Sequence, residues 1–253
     1  MPSIANHHIL IIGGTSGMGF AVAELALSSG CIVAVASSSA VRVKSAIERL
    51  ENSFPDKKSL ISGYEIDLDT PDIEAHLTTL FKTVTSNGTK LLDHVILTAG
   101  RVPDAGPLIE TNIIEALSKP QLPYAAQLSI GKLAPSYLKK SYTSSITLTG
   151  GRVADKPIPN YALYSTLASG LHGLVKALAL ELAPIRVNLV SPGATKTEMW
   201  GEMRDVIAEK MGEKALLGKV GSAEEVAECF GYLMRNGDAT GTVVRSEGGA
   251  ILQ

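Results

Sequence analysis

Short apolar runs alternate with longer amphipathic stretches along almost the whole chain. Most short runs are continuous in Val, Ile and Leu, which is typical of strands buried on both faces of a parallel sheet. This pattern predicts strands over 8–12, 32–36, 59–65, 93–98, 145–149, 186–190 and 242–246. The intervening stretches predict helices over 17–29, 40–52, 71–86, 121–140, 161–182 and 223–235.

The regular alternation of strands and helices predicts the α/β class. We expect one Rossmann domain over residues 1–253, with a doubly wound seven-stranded parallel sheet and helices on both faces. Three irregular stretches, 101–120, 152–160 and 194–217, each follow a strand. Ligands of open α/β sheets bind beyond the carboxyl ends of the strands, so these stretches are expected to frame the site.

Composition and charge exclude several function classes. The net charge is -2 and the basic residues are scattered, which disfavours a nucleic-acid partner. The apolar runs are too short to span a membrane, and the first residues do not resemble a signal peptide, so we expect a cytoplasmic protein without a membrane partner. Cys31 and Cys229 lie in apolar surroundings, which favours burial over a disulfide, a catalytic role or a metal site.

A glycine-rich turn joins the first strand to the first helix. Gly13 permits the sharp turn, Gly17 allows backbone to approach a pyrophosphate, and Gly19 allows the helix to pack close to the strand. The helix N-terminus then faces the phosphates. This context favours a dinucleotide site over a tight turn that binds nothing. The expected contacts in the turn are Gly13, Thr15, Ser16, Gly17, Met18 and Gly19.

The spacing of these glycines resembles the short-chain dehydrogenase/reductase family. Residues 97–100, Leu-Thr-Ala-Gly, are similar to the Asn-Asn-Ala-Gly turn that follows the fourth strand in that family. Segments 185–188 and 191–197 resemble its sixth strand and the next loop, and 247–249 resemble its last turn. The resemblance covers essentially the whole chain. It implies further cofactor contacts from Ala99, Gly100, Pro192, Gly193, Ala194, Thr195 and Thr197.

The end of the second strand indicates which dinucleotide is bound. NAD requires an acid there for the ribose hydroxyls, but this stretch has three serines and a nearby base, which suit a 2′-phosphate. The sequence therefore predicts NADP(H), and a serine-rich helix cap is a compatible interpretation. The residues concerned are Ser37, Ser38, Ser39 and Arg42. Asp67, followed by Leu68, resembles the adenine-contacting acid of the family, with a helix N-cap before Pro71 as the alternative.

Most of the proton-donating residues of that family are missing. Its tyrosine gives a proton to the carbonyl oxygen, a lysine four residues later lowers the tyrosine pKa, and a serine holds the oxygen. Tyr164 matches the tyrosine, but Ala168 stands at the lysine position and Gly151 at the serine position. The upstream asparagine falls near 121–123, where none occurs. A phenol without a neighbouring cation is a poor acid at neutral pH, so the pattern disfavours ordinary carbonyl reduction.

Reduction of an iminium ion would not need these residues. Hydride addition to C=N⁺ yields a neutral amine, so no alkoxide needs a proton, and the substrate instead needs a nearby anion. Asp155, in the loop after the fifth strand, is the candidate, expected over the nicotinamide. The alternative is a solvated loop acid paired with Lys156 or Arg152.

Other candidate active-site residues are less specific. Arg101 follows the Thr-Ala-Gly turn and is a candidate for binding a substrate carboxylate or amide carbonyl, unless it faces solvent. Tyr161 precedes Tyr164 by about one turn, and either tyrosine lines the site or packs the helix. Asp104 is a weaker candidate.

A narrower resemblance is to a divergent fungal branch of the family, the bifunctional reductase/Diels–Alderases of prenylated indole alkaloid biosynthesis, of the malbrancheamide or paraherquamide type. It is carried by Gly-Gly at 150–151, Ala-Asp-Lys-Pro at 154–157 and the lost lysine. It implies NADPH-dependent reduction of a prenylated indole, dipeptide-derived cyclic iminium, followed by guidance of an intramolecular [4+2] cycloaddition. It also implies that Asp155 is the charged partner and that Tyr161 and the Trp200 region wall an apolar pocket.

The family resemblance also implies a homodimer or homotetramer, paired through helices 121–140 and 161–182. Two other functions stay open. One is an atypical NADPH-dependent carbonyl reductase of secondary metabolism that uses Tyr164. The other is a dinucleotide-binding protein without chemistry.

Overall fold

The computed structural model describes residues 2–100, 106–118, 122–213 and 215–253. Its strands are β1 (His8–Ile12), β2 (Ile32–Ser37), β3 (Ile61–Glu65), β4 (His94–Leu97), β5 (Ser145–Thr149), β6 (Arg186–Pro192), β7 (Thr195–Lys196), β8 (Gly221–Ser222) and β9 (Val243–Ser246). Its α-helices are α1 (Gly17–Ser28), α2 (Ala40–Ser53), α3 (Ile73–Val84), α4 (Ile113–Ser118), α5 (Leu122–Leu133), α6 (Ala162–Glu181), α7 (Arg204–Gly212) and α8 (Ala223–Arg235).

Seven of the strands form one parallel sheet in the order β3-β2-β1-β4-β5-β6-β9. The predicted doubly wound sheet is therefore confirmed. The chain winds outward in one direction from β1 to β3 and in the other from β4 to β9, so a crevice opens between the carboxyl ends of β1 and β4. The two short strands β7 and β8 pair separately, and two-residue strands are too short to produce a detectable sequence period.

Both faces of the sheet are covered by helices. Along β1, Leu10 and Ile12 belong to a core with α3, α5 and α6, whereas Ile9 and Ile11 belong to a second core with α1, α2 and α8. Because each strand residue meets a helix layer on one side or the other, the strands are apolar without alternation. Within the described residues, no helix is both long enough and apolar enough to cross a membrane.

Several predicted boundaries are wrong for identifiable reasons. The helix predicted over 121–140 ends at Leu133, because Pro135 lies in a 3₁₀ turn and Leu138 then forms a bridge to Leu92. Residue 121 lies outside the described residues. The strand predicted over 59–65 begins at Ile61, since the preceding residues Pro55–Leu60 form a 3₁₀ helix. Helices α4 and α7 lie in stretches predicted to be irregular.

Candidate functional site

A pocket lies at the carboxyl ends of β1, β2 and β4, in the predicted crevice. It collects fourteen of the predicted cofactor residues: Gly13, Thr15, Ser16, Gly17, Met18, Gly19, Ser37, Ser38, Arg42, Asp67, Leu68, Ala99, Gly100 and Thr197. It is also lined by residues that the sequence did not single out: Ile12, Ile66, Asp69, Thr98, Glu198 and Met199. The pocket thus brings together residues from five separate loops, which follow β1, β2, β3, β4 and β7.

The glycine turn forms a cradle with no room for side chains. Gly13 has a φ of +95°, and a Cβ there would lie 2.3 Å from the Ala99 nitrogen. A Cβ at Gly19 would lie 2.2 Å from the Gly13 carbonyl oxygen, so only glycine lets α1 pack this closely on the end of β1. The N-terminus of α1 therefore faces the pocket through bare backbone, which suits a pyrophosphate.

The far end of the pocket carries hydroxyls and a cation. The Arg42 guanidinium donates a hydrogen bond from Nη2 to the Ser38 Oγ at 3.0 Å. Ser39 does not line the pocket; it caps α2 by accepting a hydrogen bond from the Arg42 backbone nitrogen at 3.4 Å. The predicted helix cap is therefore confirmed at Ser39, which does not line the pocket, and Ser37, Ser38 and Arg42 do line it; their contact with a 2′-phosphate stays a prediction.

Asp67 lies beside the pocket and does not cap a helix. Its Oδ1 accepts a hydrogen bond from the Asp69 backbone nitrogen at 2.9 Å. Helix α3 begins later, at Ile73, with Asp72 at its N-cap position. The alternative interpretation of Asp67 as a helix cap is therefore wrong, and both Asp67 and Leu68 line the pocket.

The segment after β6 supports the pocket through its backbone. Gly193 donates to the Ser246 carbonyl oxygen at 2.9 Å, and Ala194 accepts from the Gly221 nitrogen at 2.9 Å. Thr195 begins β7, and Pro192 ends β6. These four residues do not line the pocket, whereas Thr197 does.

Tyr164 lies on α6, with Tyr161 at the N-cap position of the same helix. The two rings meet edge to face, with centroids 6.3 Å apart. Burial, and to a lesser extent Tyr161, raises the pKa of Tyr164 above its ordinary value. A phenol in this environment stays protonated at neutral pH and is a weaker acid than in water.

Asp155 follows the 3₁₀ turn Arg152–Ala154 and forms a bidentate ion pair with Arg245 on β9. Arg245 Nε lies 2.9 Å from Oδ2, and Nη2 lies 2.8 Å from Oδ1. The Asp155 side chain is 20% exposed and that of Arg245 is 39% exposed. The hydrogen bonds from Arg245 are the main cause of a lowered pKa at Asp155. Asp155 therefore pairs with Arg245, and the alternative prediction that it pairs with Lys156 or Arg152 is wrong.

Comparison with known proteins identifies the family. Residues 2–253 match the family model described as an SDR-like Rossmann domain. A short-chain dehydrogenase/reductase from Stachybotrys chlorohalonatus, ATR9, is 43% identical over 259 aligned residues, which cover 100% of both chains. The chain belongs to the short-chain dehydrogenase/reductase family.

Two solved structures support this assignment. The MalC reductase/Diels–Alderase from Malbranchea aurantiaca superimposes with a TM-score of 0.89 and 31% identity, covering 98% of this chain and 97% of that chain. A small-chain dehydrogenase in complex with NADPH superimposes with a TM-score of 0.77 and 28% identity, covering 98% of this chain and 100% of that chain. Given this family and the Ser38–Arg42 end of the pocket, the protein is an oxidoreductase that binds NADP(H).

The residues at the serine and lysine positions of the family are Gly151 and Ala168, and the structure describes both. Gly151 is at the N-cap position of the 3₁₀ turn Arg152–Ala154, and a Cβ there would have one neighbour within 4 Å, the Pro192 carbonyl oxygen at 3.9 Å. Ala168 is 4% exposed and packs on α6 one turn after Tyr164. The space for a serine side chain is thus present although the side chain is not.

Some predicted residues cannot be placed. Arg101 and Asp104 lie outside the described residues, as does residue 121, and the side chains of residues 122 and 123 are not described. Gln127, one turn further along α5, is buried and donates from Nε2 to the Thr149 carbonyl oxygen at 3.1 Å. It ties α5 to the end of β5, near the position where the family carries its asparagine.

Apolar side chains are exposed on the segments that follow β4 and β6. Ile109 is 94% exposed and Ile114 is 77% exposed, and Met199 and Met203 are each more than half exposed. Trp200, between these two methionines, is half-buried. Of these side chains, Met199 belongs to a residue that lines the cofactor pocket, so exposed apolar surface borders the crevice at that point. The spacing of apolar residues in the sequence does not reveal exposed residues of this kind, because that spacing indicates only residues that pack in a core.

Proposed function

We propose that this enzyme uses NADPH to reduce a cyclic iminium in fungal secondary metabolism. One observation carries the proposal. The protein combines an intact NADP(H) pocket with a Tyr164 whose pKa is raised by burial and by Tyr161, and with Ala168 at the lysine position. An enzyme with this arrangement has a hydride donor but a weak acid, which suits an electrophile that needs no proton.

Bound NADPH supplies the hydride, and the residues of this chain bind and orient the reactants. The glycine turn and Arg42 hold the phosphates, and the two tyrosines form an amphipathic wall. Asp155 is the anion that balances the positive charge of the substrate. As that charge is lost during hydride transfer, the role of Asp155 is to bind and orient the cation in the ground state and early along the reaction, not to stabilise a developing anion.

The charges around Asp155 are compatible with a cationic substrate. Arg245 pairs with Asp155, and its pKa is raised mainly by the hydrogen bonds to Asp155, with a smaller contribution from Glu247. Glu247 therefore adds a second negative charge near the Asp155–Arg245 pair. Its effect is modest, because the pair is partly exposed and water screens the charges.

We further propose that the reduced product, a prenylated indole derived from a dipeptide, is guided through an intramolecular [4+2] cycloaddition. The support is the likeness to the MalC reductase/Diels–Alderase and two exposed apolar side chains, Met199 at the cofactor pocket and Met203 on the same segment. A cycloaddition needs no acid or base, because holding diene and dienophile in near-attack geometry lowers its barrier. Tyr161 and Trp200 are the proposed walls.

The test combines purified protein, NADPH and a dipeptide-derived cyclic iminium, with the matching cyclic ketone in a parallel reaction. Oxidation of NADPH is followed by absorbance, and the stereochemistry of the cycloadduct is compared with that of the uncatalysed reaction. We expect the iminium to be reduced, the ketone to be left unchanged and one enantiomer to predominate. If NADPH is not consumed, the reductase proposal fails; if it is consumed but the adduct is racemic, only the cycloaddition proposal fails.

One observation favours an alternative, an atypical carbonyl reductase: Tyr164 is retained at the family position, and space for a hydroxyl-bearing side chain remains at Gly151. That enzyme would reduce the ketone in the test above. A dinucleotide-binding protein without chemistry would bind NADPH and reduce neither compound.

We also propose that the enzyme is a cytoplasmic homodimer or homotetramer paired through α5 and α6. Leu180 on α6 and Leu128 on α5 are both exposed, whereas Leu171 and Leu178 are buried in the core. Light scattering coupled to gel filtration would measure the mass. A mass equal to one chain would contradict the proposed assembly.

A further inference from the structure

A carboxylate from a distant segment occupies the phosphate side of the cofactor pocket. Glu198 begins the 3₁₀ segment Glu198–Met203, and it lines the pocket. Its Oε2 accepts a hydrogen bond from the Gly17 backbone N–H at 2.8 Å. Gly17 is the first residue of α1, so this N–H is one of the free donors that the helix offers to an anion.

A second contact presses the same segment against the glycine turn. The Cβ and Cγ2 atoms of Thr197 lie 3.1 Å from the position of a Cβ on Gly17. Gly17 has a φ of +50°, and its lack of a side chain lets the segment approach. Met199 also lines the pocket, so three successive residues of this segment border it.

The segment is anchored on both sides of these contacts. Thr195 and Lys196 pair with Gly221 and Ser222 in the small β7–β8 sheet. Lys196 Nζ also lies 2.7 Å from the Asp205 Oδ1 on α7. Residues 197–203 therefore form a short span between two fixed points, close enough to the glycine turn for one side chain to reach the N–H of Gly17.

We infer that Glu198 acts as an internal substitute for a cofactor phosphate and so sets the affinity and exchange rate of NADP(H). One N–H cannot donate fully to two anions, and a carboxylate and a pyrophosphate at one helix end repel each other. Glu198 must therefore leave Gly17 when the dinucleotide binds. The contact stabilises the cofactor-free enzyme and weakens cofactor binding by the same amount.

The size of the effect follows from the population of the contact. If Glu198 occupies Gly17 in about 90% of cofactor-free molecules, the apparent affinity for NADP(H) is reduced about tenfold. The same reduction applies to oxidised and reduced cofactor, because both present a pyrophosphate to the Gly17 N–H.

The test compares Glu198→Gln with Glu202→Gln, a matched control that removes one negative charge from the same exposed segment. The dissociation constant of NADP⁺ is measured by calorimetry for both variants and for the natural protein. We expect Glu198→Gln to bind NADP⁺ about tenfold more tightly and Glu202→Gln to bind as the natural protein does. Unchanged or weaker binding by Glu198→Gln would overturn the inference.

Equal tightening in both variants would also overturn it, since that result indicates general charge repulsion. A second readout needs no substrate and no cofactor. Trp200 is the single tryptophan of the chain and lies two residues from Glu198, so its fluorescence reports on this segment. Inorganic pyrophosphate should change the emission of the natural protein, and cofactor-free Glu198→Ala, which has no acceptor for the Gly17 N–H, should already show the changed emission. Identical emission from both cofactor-free proteins, together with no response to pyrophosphate, would contradict displacement of the segment.

Discussion

Arg245 on the last strand of the sheet holds both carboxylate oxygens of Asp155, in the turn after β5, at 2.8 and 2.9 Å. Arg245 is opposite Ser191 in the register of β6 and β9, so the ion pair lies near the carboxyl end of β6. The pair fixes the orientation of a carboxylate that a three-residue 3₁₀ turn alone would leave free to rotate. It also keeps Asp155 ionised by lowering its pKa.

Replacing Asp155 tests whether this carboxylate serves the reaction. Asp155→Asn keeps the shape but removes the charge, and we expect kcat/KM for the iminium to fall about 100-fold. The reason is the loss of the anion that faces the substrate cation. Lys156→Gln is the control, because it changes one charge at the adjacent residue. NADPH oxidation under single-turnover conditions measures the effect, and an unchanged rate for Asp155→Asn would remove the proposed role.

Replacing Tyr164 separates the two enzymatic proposals. Tyr164→Phe removes the hydroxyl, and we expect iminium reduction to change by less than about threefold. Because the pKa of Tyr164 is raised above its ordinary value, the phenol stays protonated throughout the neutral range. It should therefore add no pH dependence to the rate between about pH 6 and about pH 9. A large loss of activity in Tyr164→Phe, with a pH-dependent rate in the natural protein, would favour the carbonyl reductase.

Replacing Arg42 tests the preference for NADP(H). The Arg42 guanidinium contacts Ser38 at the predicted 2′-phosphate end of the pocket. Hydrogen bonds to charged groups contribute about 1.5–3 kcal/mol, so Arg42→Ala should weaken NADPH binding roughly 10- to 100-fold. NADH binding should be nearly unchanged. Lys44→Ala is the matched control on α2, and equal losses for both cofactors in Arg42→Ala would contradict a 2′-phosphate contact.

The stability of the protein should fall in mild acid because of His94. This side chain is fully buried, and its ring nitrogens lie 2.8 Å from the Ser145 Oγ and 3.0 Å from the His7 Nδ1. Burial, followed by the charges of His7 and Arg186, holds its pKa well below 6.5. The unfolded chain therefore binds a proton that the folded protein does not, and stability falls by up to about 1.4 kcal/mol per pH unit below pH 6.5 or so.

Thermal unfolding measured from about pH 7.5 to about pH 5, a range that spans the ordinary histidine pKa of about 6.5, checks this expectation. His94→Gln removes the titrating group and is expected to start less stable but to lose less stability in acid. Parallel loss in both proteins would show that other groups cause the acid sensitivity.

Two glycines on different helices should respond in opposite ways to the same substitution. An alanine Cβ at Gly19 would lie 2.2 Å from the Gly13 carbonyl oxygen, whereas one at Gly173 on α6 meets no atom within 4 Å. Gly19→Ala should cost about 1–3 kcal/mol or more and abolish NADPH binding. Gly173→Ala should stabilise the helix by about 0.5–1 kcal/mol. Chemical denaturation measures both, and equal responses would contradict the close packing at Gly19.

The sequence predicted the sheet and the cofactor turn because their signals are local. Continuous apolar runs indicate strands covered on both faces, and the glycines follow β1 directly. The serine-rich end of β2 likewise indicated the phosphate end of the pocket within a few residues. Boundaries were less accurate where a 3₁₀ turn intervened, as at Ala134–Ser136.

Long-range contacts could not be predicted in this way. Arg245 is 90 residues from Asp155, and Glu198 is 181 residues from Gly17; no spacing rule joins either pair. Helix α7 was missed because its residues, such as the exposed Val206, form no buried stripe. The ion pair between Asp155 and Arg245 is therefore visible only in the folded chain. The position of Asp155 in the loop after β5 was enough, however, to predict it as a candidate active-site residue.

The most direct test of the central claim is the isotope dependence of hydride transfer to a cyclic iminium. In single turnovers, NADPH deuterated at the transferred position should slow the step, and replacing H₂O by D₂O should not, because no proton moves to the product during transfer. A step slowed by D₂O as well, or absent altogether, would contradict reduction without a proton donor.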